Sequence, residues 1–494
     1  MALLLAALPA QAQAIEQAQE QVRPAGASRA LAQVGTSQAP TLPTGSGSTS
    51  TVSTTGAAED AAADSFDERL RGQSDRLERQ QRQIEELRDE LDAGTARAEA
   101  QRKDDGAGLR RLQWSGYGIV NYQRYDFYPN AQSRTAERRA RTDLERLILA
   151  PRFNFGRGFS FHAEVEFEHG GTGTTVEYER EEAGEFEAEI EKGGEVAIEF
   201  AYLQYESGGW FNARIGELVV PFGMVNTHHQ PSEYFTIERS LAETSLIPSV
   251  WHESGLEMYG SVGRTRYQVQ LVTALDSTGF SGYGFVSGGT QSKFEFRNAR
   301  SLALIARVDR SLAPGVLLGG GYYLGNSSRN RPRQNLSVDA DVSLAELHAR
   351  YERGPFTLRT QAMWGRLQNS SAVTRANLAT FNGGLLGTSR TPVGSRARAF
   401  FVEAGYDVLS FIDGANASLG RLDAFARIET WDTHAGTEGT IVRVARYDRK
   451  AITAGLNYKP QPGIVFKAEY SRRTHSGAVA NTENYLGLGV GFEF

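Results

Sequence analysis

The sequence predicts an all-β membrane protein, an antiparallel transmembrane β-barrel of sixteen strands preceded by a short N-terminal coiled-coil helix. Three observations carry this expectation. From Leu112 to Phe494, apolar and polar residues alternate with period two over strand-length segments. The connections between those segments alternate between short turns and long polar loops. The last strand ends on an aromatic residue, Phe494. Composition agrees: among 494 residues there are 53 Gly, 19 Tyr and 25 Phe, the profile of many short strands. Only 40% of the residues are hydrophobic, and no apolar run is long enough for a membrane helix, which excludes a helical membrane protein. A barrel survives this test because its strands need only every second residue to be apolar. The absence of cysteine excludes a disulfide scaffold, thiolate zinc sites and a cysteine nucleophile. A formal charge of −6 gives no basic bias toward nucleic acid.

The chain divides into four pieces. Residues 1–14 read as a signal-peptide remnant, with an apolar core from Leu3 to Leu8 and an A-x-A site at Ala12-Gln13-Ala14, but without the basic opening segment. Residues 15–65 are rich in Ala, Gln, Thr, Ser and Gly; they hold too few large apolar groups to offset chain entropy and read as a disordered linker. Residues 66–105 change period. Leu70, Leu77, Ile84 and Leu91 recur every seven residues, with Gln73, Gln80 and Leu87 between them, which predicts a coiled coil. Its polar d positions make it a weak oligomeriser alone and suit it to clamping chains already associated elsewhere. Residues 112–494 form the barrel domain.

Within the barrel, Phe159, Phe161, Ala163, Val165 and Phe167 alternate with Ser160, His162, Glu164, Glu166 and Glu168. Leu302, Leu304, Ala306 and Val308 flank Ala303, Ile305 and Arg307, and Ala345, Leu347, Ala349 and Tyr351 alternate with Glu346, His348, Arg350 and Glu352. Short turns fall at Gly156–Gly158, Ser207–Gly209, Val262–Arg264, Leu312–Gly315, Gly354–Pro355 and Lys459–Gly463, with a medium one at 410–418. Long loops span 126–142, 170–194, 221–253, 277–296, 326–341, 368–395, 432–446 and 475–483. A soluble sandwich shares the alternation but has no reason for loops that are long on one side only. Outer-membrane barrels have short periplasmic turns, so both barrel termini, and the coiled coil with them, are expected on the periplasmic side.

Leu486, Leu488, Val490, Phe492 and Phe494 alternate with Gly487, Gly489, Gly491 and Glu493. Such a last strand resembles the signal by which bacterial barrel assembly machinery recognises its clients, with Phe492 and Phe494 as its residues. A second resemblance lies between Glu199 and Gly255. Ala201-Tyr202-Leu203-Gln204-Tyr205, Arg214-Ile215-Gly216-Glu217, Pro221-Phe222-Gly223, Glu238-Arg239 and Trp251-His252-Glu253-Ser254-Gly255 resemble the phosphate-selective porin O/P family. In that family a strand reading AY-x-x-Y and a second reading R-x-G-(Q/E) precede a P-F-G that opens a long loop. The resemblance implies a homotrimeric, water-filled, sixteen-stranded channel in outer-membrane lipid, with its third long loop folded inward as a constriction. It nominates His228, His229, Glu233, Glu238 and Arg239 as residues of that constriction.

With the apolar phase facing lipid, the inward phase carries Arg214, Arg307, Arg350, Arg359, Arg427 and Lys467, and also Glu164, Glu166 and Glu168. A charge facing lipid at mid-membrane would cost about 2–4 kcal/mol, which drives these residues to the lumen as pore-lining candidates. Charge is uneven along the chain: residues 164–206 hold 14 acids against 2 bases, whereas residues 290–494 hold 26 bases against 17 acids. Only five lysines follow residue 112, and acids share the inward phase with arginines, a departure from the phosphate-selective pattern. The expectation is a passive diffusion channel for small hydrophilic solutes with weak anion preference. The alternative is an outer-membrane anchor whose coiled coil tethers a periplasmic partner. No nucleophile, base and orienter stand in a recognisable context, so no enzyme activity is expected. The pair His228-His229 lacks metal-ligand spacing, and neither metal nor cofactor is expected.

Overall fold

The computed structural model describes residues 111–494 except 131, 171–176, 182–184, 190–194, 292–296, 382–390, 413–418 and 480. The signal-peptide remnant, the linker and the coiled coil expected at 1–105 lie outside the described residues. Among the described residues there are eighteen strands: β1 (Leu112–Phe127), β2 (Glu137–Gly156), β3 (Phe159–Glu168), β4 (Glu177–Glu181), β5 (Glu185–Glu189), β6 (Glu195–Glu206), β7 (Asn212–Val219), β8 (His252–Val262) and β9 (Thr265–Thr273). They continue with β10 (Leu302–Ala313), β11 (Val316–Asn326), β12 (Asp341–Arg353), β13 (Phe356–Leu367), β14 (Arg396–Asp407), β15 (Arg421–Gly436), β16 (Asp448–Gln461), β17 (Ile464–His475) and β18 (Glu483–Glu493). Sixteen of them close into an antiparallel barrel in chain order, with β18 paired to β1, while β4 and β5 form a separate hairpin within the second long loop.

Closure leaves the sixteen barrel strands without an unpaired edge, the condition for backbone to cross lipid as strands. The register places both barrel termini at the short-turn end: Tyr117 pairs with Glu493, and Gly116 and Phe494 exchange both backbone hydrogen bonds. The outer face is apolar, as the alternation requires. On β10, Leu304 is 51% exposed and Arg307 only 4%. Phe494 lies on the outer face, 64% exposed, with Leu486, Leu488 and Val490 on the same side of β18.

Several boundaries differ from expectation. The first long loop shrinks to 128–136, because the β1–β2 ladder extends as far as Phe127 and Glu137. His252 and Glu253 lie at the start of β8 rather than in the loop before it, paired with Val219 and Leu218. The loop after β13 contains a helix, α1 (Ser370–Phe381), whose few apolar residues gave no readable period. Two bulges matter for function. On β2, Ile119 and Val120 pair with Arg146 and Leu144, leaving Glu145 extra; on β6, Glu164 and Val165 pair with Phe200 and Ile198, leaving Glu199 extra. Each bulge puts a carboxylate on the inner face that strict alternation would send to lipid.

The inner face is not polar throughout. Val272, Ala303, Ile305, Tyr323, Val342, Leu344, Met363, Ala397, Ala399, Trp431 and Ala451 are buried in one apolar cluster with Phe222, Trp251, Phe280, Phe285 and Val373, which come from long loops. Long loops therefore enter the barrel and are held there by the hydrophobic effect.

Candidate pore and constriction loop

Loop 220–251 enters the lumen between β7 and β8 and reaches the opposite wall. Its neck is closed by Asn226, whose side chain donates to the Val220 carbonyl (2.9 Å) and accepts from the Trp251 amide (2.7 Å). Gly223 has φ +89°, and a Cβ there would meet the Glu243 carboxylate at 2.5 Å. That carboxylate accepts the amides of Met224, Val225 and Asn226 at 2.9, 3.0 and 2.6 Å, and so folds the turn after Pro221. Burial pushes the Glu243 carboxyl up to about 7, against the lowering effect of those amides.

The far segment docks on β15 to β18. Lys467 donates to the carbonyls of Tyr234 (2.9 Å) and Thr236 (2.8 Å), Lys459 to that of Ser232 (2.7 Å), and Asn457 to that of Phe235. Glu469 accepts the Ile237 amide at 2.9 Å, and Glu493 accepts that of Ser232 at 3.1 Å. Irregular backbone buried in a barrel needs such partners, and the wall supplies them. Glycines on the wall make room. A Cβ on Gly405 would meet the Phe235 ring at 2.3 Å, one on Gly487 would meet Ile237 at 2.7 Å, and one on Gly491 would meet Pro231 at 2.5 Å. The glycine stripe of the last strand thus receives the loop.

A cavity of about 680 Å³ lies between this loop and the wall near the short turns. Of the residues expected to line a pore, Arg214, Arg307, Arg350, Arg359 and Glu164 do border it, with His228, His229 and Glu233 from the loop. Arg266, Glu257, Asp309, His348 and Glu403 join them. Sequence reasoning did not nominate these five, although each stands on the inward phase of its strand. Most of the arginines are held by acids: Arg214 by Glu257 (3.0 Å), Arg307 by Asp309 (2.8 Å) and Arg359 by Glu403 (3.0 Å). Arg307 also donates to the Gly223 carbonyl of the loop at 2.9 Å. Arg350 comes only within 3.9 Å of Glu352 and stays more than a third exposed.

The remaining candidates do not border this cavity. Arg427 is buried on Glu403 (2.6 Å), Lys467 is covered by the loop it holds, and Glu166 is buried on Arg146 (3.2 Å). Glu168 lies 3.7 Å from Arg146. Glu238 pairs with Arg473, and Arg239 donates to Ser249. Alternation gives the face of a residue but not what packs over it.

The adjacent histidines face different surroundings. Burial, with Arg350 and Arg307 nearby, pushes His228 down to about 4. Burial also disfavours the charged form of His229, but the Glu164 and Glu199 carboxylates outweigh it and push the group up to about 9. Its Nε2 lies 3.8 Å from Glu164 and 3.7 Å from Glu199, while Nδ1 faces the Asn226 carbonyl at 3.0 Å.

The chain is 25% identical over 338 residues to an uncharacterised protein of Aquifex aeolicus, covering 67% of this chain and 71% of that one. Among solved structures it is similar to the outer-membrane channel DcaP of Acinetobacter baumannii, at a TM-score of 0.49, 14% identity, and coverage of 79% of this chain and 99% of that one. It is also similar to an anion-selective porin of Comamonas acidovorans, at a TM-score of 0.46, 11% identity, and coverage of 78% and 99%. The family model for phosphate-selective porins O and P matches residues 119–494, nearly the whole described barrel. The chain belongs to the phosphate-selective porin O and P family, and it is an outer-membrane channel.

Proposed function

We propose that this channel passes small hydrophilic solutes by passive diffusion with a weak preference for anions, and that loop 220–251 is its constriction. The observation that carries the reading is the cavity beneath that loop, where five arginines and five carboxylates face the same space. Charges so balanced wet a lumen and orient dipolar solutes without committing it to one ion. The weak anion preference is supported by Arg350, which borders the cavity and comes only within 3.9 Å of Glu352. Planar-bilayer reversal potentials under a salt gradient test it: a modest anion-selective potential is expected, and near-unity or cation-preferring permeability refutes it.

The assembly is a homotrimer in outer-membrane lipid, delivered by the barrel assembly machinery through the Phe492 and Phe494 signal. The segment 66–105 is a periplasmic coiled coil that clamps it. Stepwise openings in threes from single insertions are the expected record, and openings by ones refute the trimer. A tethering role alongside conduction is favoured by the apolar packing of long loops inside the barrel, which fills lumen that a pure channel would leave open. Deleting residues 15–105 separates the roles: conduction persists, whereas a periplasmic partner is lost.

A further inference from the structure

We propose that Glu164, Glu199 and His229 form a binding site for a divalent transition-metal ion of the zinc type, which latches loop 220–251 to the β3–β6 wall. The three side chains come from β3, from the β6 bulge and from the loop. Their ligand atoms lie within 4.8 Å of one another. Two separations, 3.7 and 3.8 Å, are close to the ~3.4 Å expected between ligands bound at about 2.1 Å around a tetrahedral ion. The histidine is prepared for the role. Its Nδ1 faces the Asn226 carbonyl at 3.0 Å, and this hydrogen bond leaves Nε2 aimed at the two carboxylates.

An independent observation points to a missing partner. Glu199 is 1% exposed, yet neither of its carboxylate oxygens has a hydrogen bond among the described residues. Its nearest cation, Arg146, stands 3.6 Å away and is shared with Glu166 at 3.2 Å. Leaving a buried carboxylate without hydrogen bonds costs several kcal/mol, so such groups are paired or bind metal. Three buried carboxylates, Glu164, Glu166 and Glu199, face one guanidinium, Arg146, and His229; with that histidine neutral, as a metal ligand must be, two negative charges remain, the charge of a divalent ion. Two carboxylates and one imidazole suit zinc-type ions better than Mg²⁺ or Ca²⁺, which take oxygen ligands. Three protein ligands leave one position of a tetrahedral ion open, on the side where Glu164 and His229 border the cavity.

The latch rests on the channel reading for its consequence, because it acts by fixing the loop that borders the pore. The metal site itself does not. The test uses the full-length protein, stripped with a chelator and titrated with Zn²⁺ by calorimetry, with Mg²⁺ for comparison. One Zn²⁺ per chain is expected, weakened at least tenfold in Glu199→Gln and in His229→Ala, and unchanged in His169→Ala, whose ring is exposed beside Asp143. Heat-modifiable migration checks that each variant folds, and Glu164→Gln serves if Glu199→Gln does not. Zn²⁺ is also expected to reduce flicker in wild-type single-channel records and to leave Glu199→Gln records unchanged. Binding equal in wild type and both carboxylate variants, or none, overturns the site and leaves His229 in an ion pair only. Binding without an effect on current overturns the latch. Stoichiometric Zn²⁺ binding to a barrel that passes no current supports the site and refutes the channel reading instead.

Discussion

Replacing Phe235 by alanine tests whether loop 220–251 controls the pore. Phe235 is 4% exposed, and its ring stacks on Phe425 at 5.3 Å between centroids and 9° between planes. The Arg359 guanidinium lies over the same ring at 5.2 Å, and Gly405 backs it. Truncating a buried phenylalanine costs about 3–5 kcal/mol, and loss of a stacked pair adds about 0.5–1.5 kcal/mol. The other loop anchors, from Lys459, Lys467, Asn457 and Glu469, remain in place, so most loops stay docked. At about 1.4 kcal/mol per tenfold, the low end of this range shifts the docked-to-released ratio by roughly a hundredfold. The barrel ladder is untouched, and heat-modifiable migration should be unchanged. Single-channel recording should show high-conductance substates about a hundred times more often than in wild type. A folded Phe235→Ala barrel with wild-type substate frequency would show that the loop does not limit conduction, and the constriction assignment would fall.

Four further outcomes follow. Lys467→Met removes the ammonium donor from the Tyr234 and Thr236 carbonyls. Each lost charged hydrogen bond costs about 1.5–3 kcal/mol, so substates should rise at least as much as in Phe235→Ala, read in the same recordings. Arg350→Glu changes the cavity wall by two charges at an arginine that only approaches its acid at 3.9 Å, and the reversal potential should move toward cation preference; an unmoved potential would remove Arg350 from the filter. The Glu243 carboxyl, with Glu346 as its acidic neighbour, rises from 4.5 to about 7 when the loop is docked. A docked value above the released one means that docking takes up a proton, so docking is strongest below about pH 4.5 and weakens by about 3 kcal/mol as pH rises through 7. Substate frequency should climb across that window in wild type and climb less in Glu243→Gln. Finally, deletion of residues 15–105 should lower the temperature at which the trimer dissociates in detergent while single-channel conductance persists, and unchanged melting would reject the clamping role.

The barrel was legible in the sequence because alternation and loop asymmetry are local properties of each strand and turn. Leu304 and Arg307 take opposite faces whatever the rest of the chain does, since successive side chains of a strand point to opposite sides. The same logic found Arg214, Arg350, Arg359 and Glu164, and the Pro221-Phe222-Gly223 motif located the loop that enters the lumen. Two local breaks in period, at Leu144-Glu145-Arg146-Leu147 and Ile198-Glu199-Phe200-Ala201, were the available sign of the bulges that set Glu145 and Glu199 inward.

Only the tertiary structure decided what covers each inward residue. Lys467 and Arg350 share a phase, yet one holds loop carbonyls and the other faces the cavity. His228 and His229 are neighbours in sequence, but one lies among arginines and the other among carboxylates. The glycines of the last strand read as strand alternation, and their use is to admit Ile237 and Pro231. The reason is physical: periodicity encodes direction relative to the sheet, whereas burial, charge environment and ligand sets depend on contacts between segments up to hundreds of residues apart. A strand pattern fixes which way a side chain points, and a loop crossing the lumen fixes what it meets.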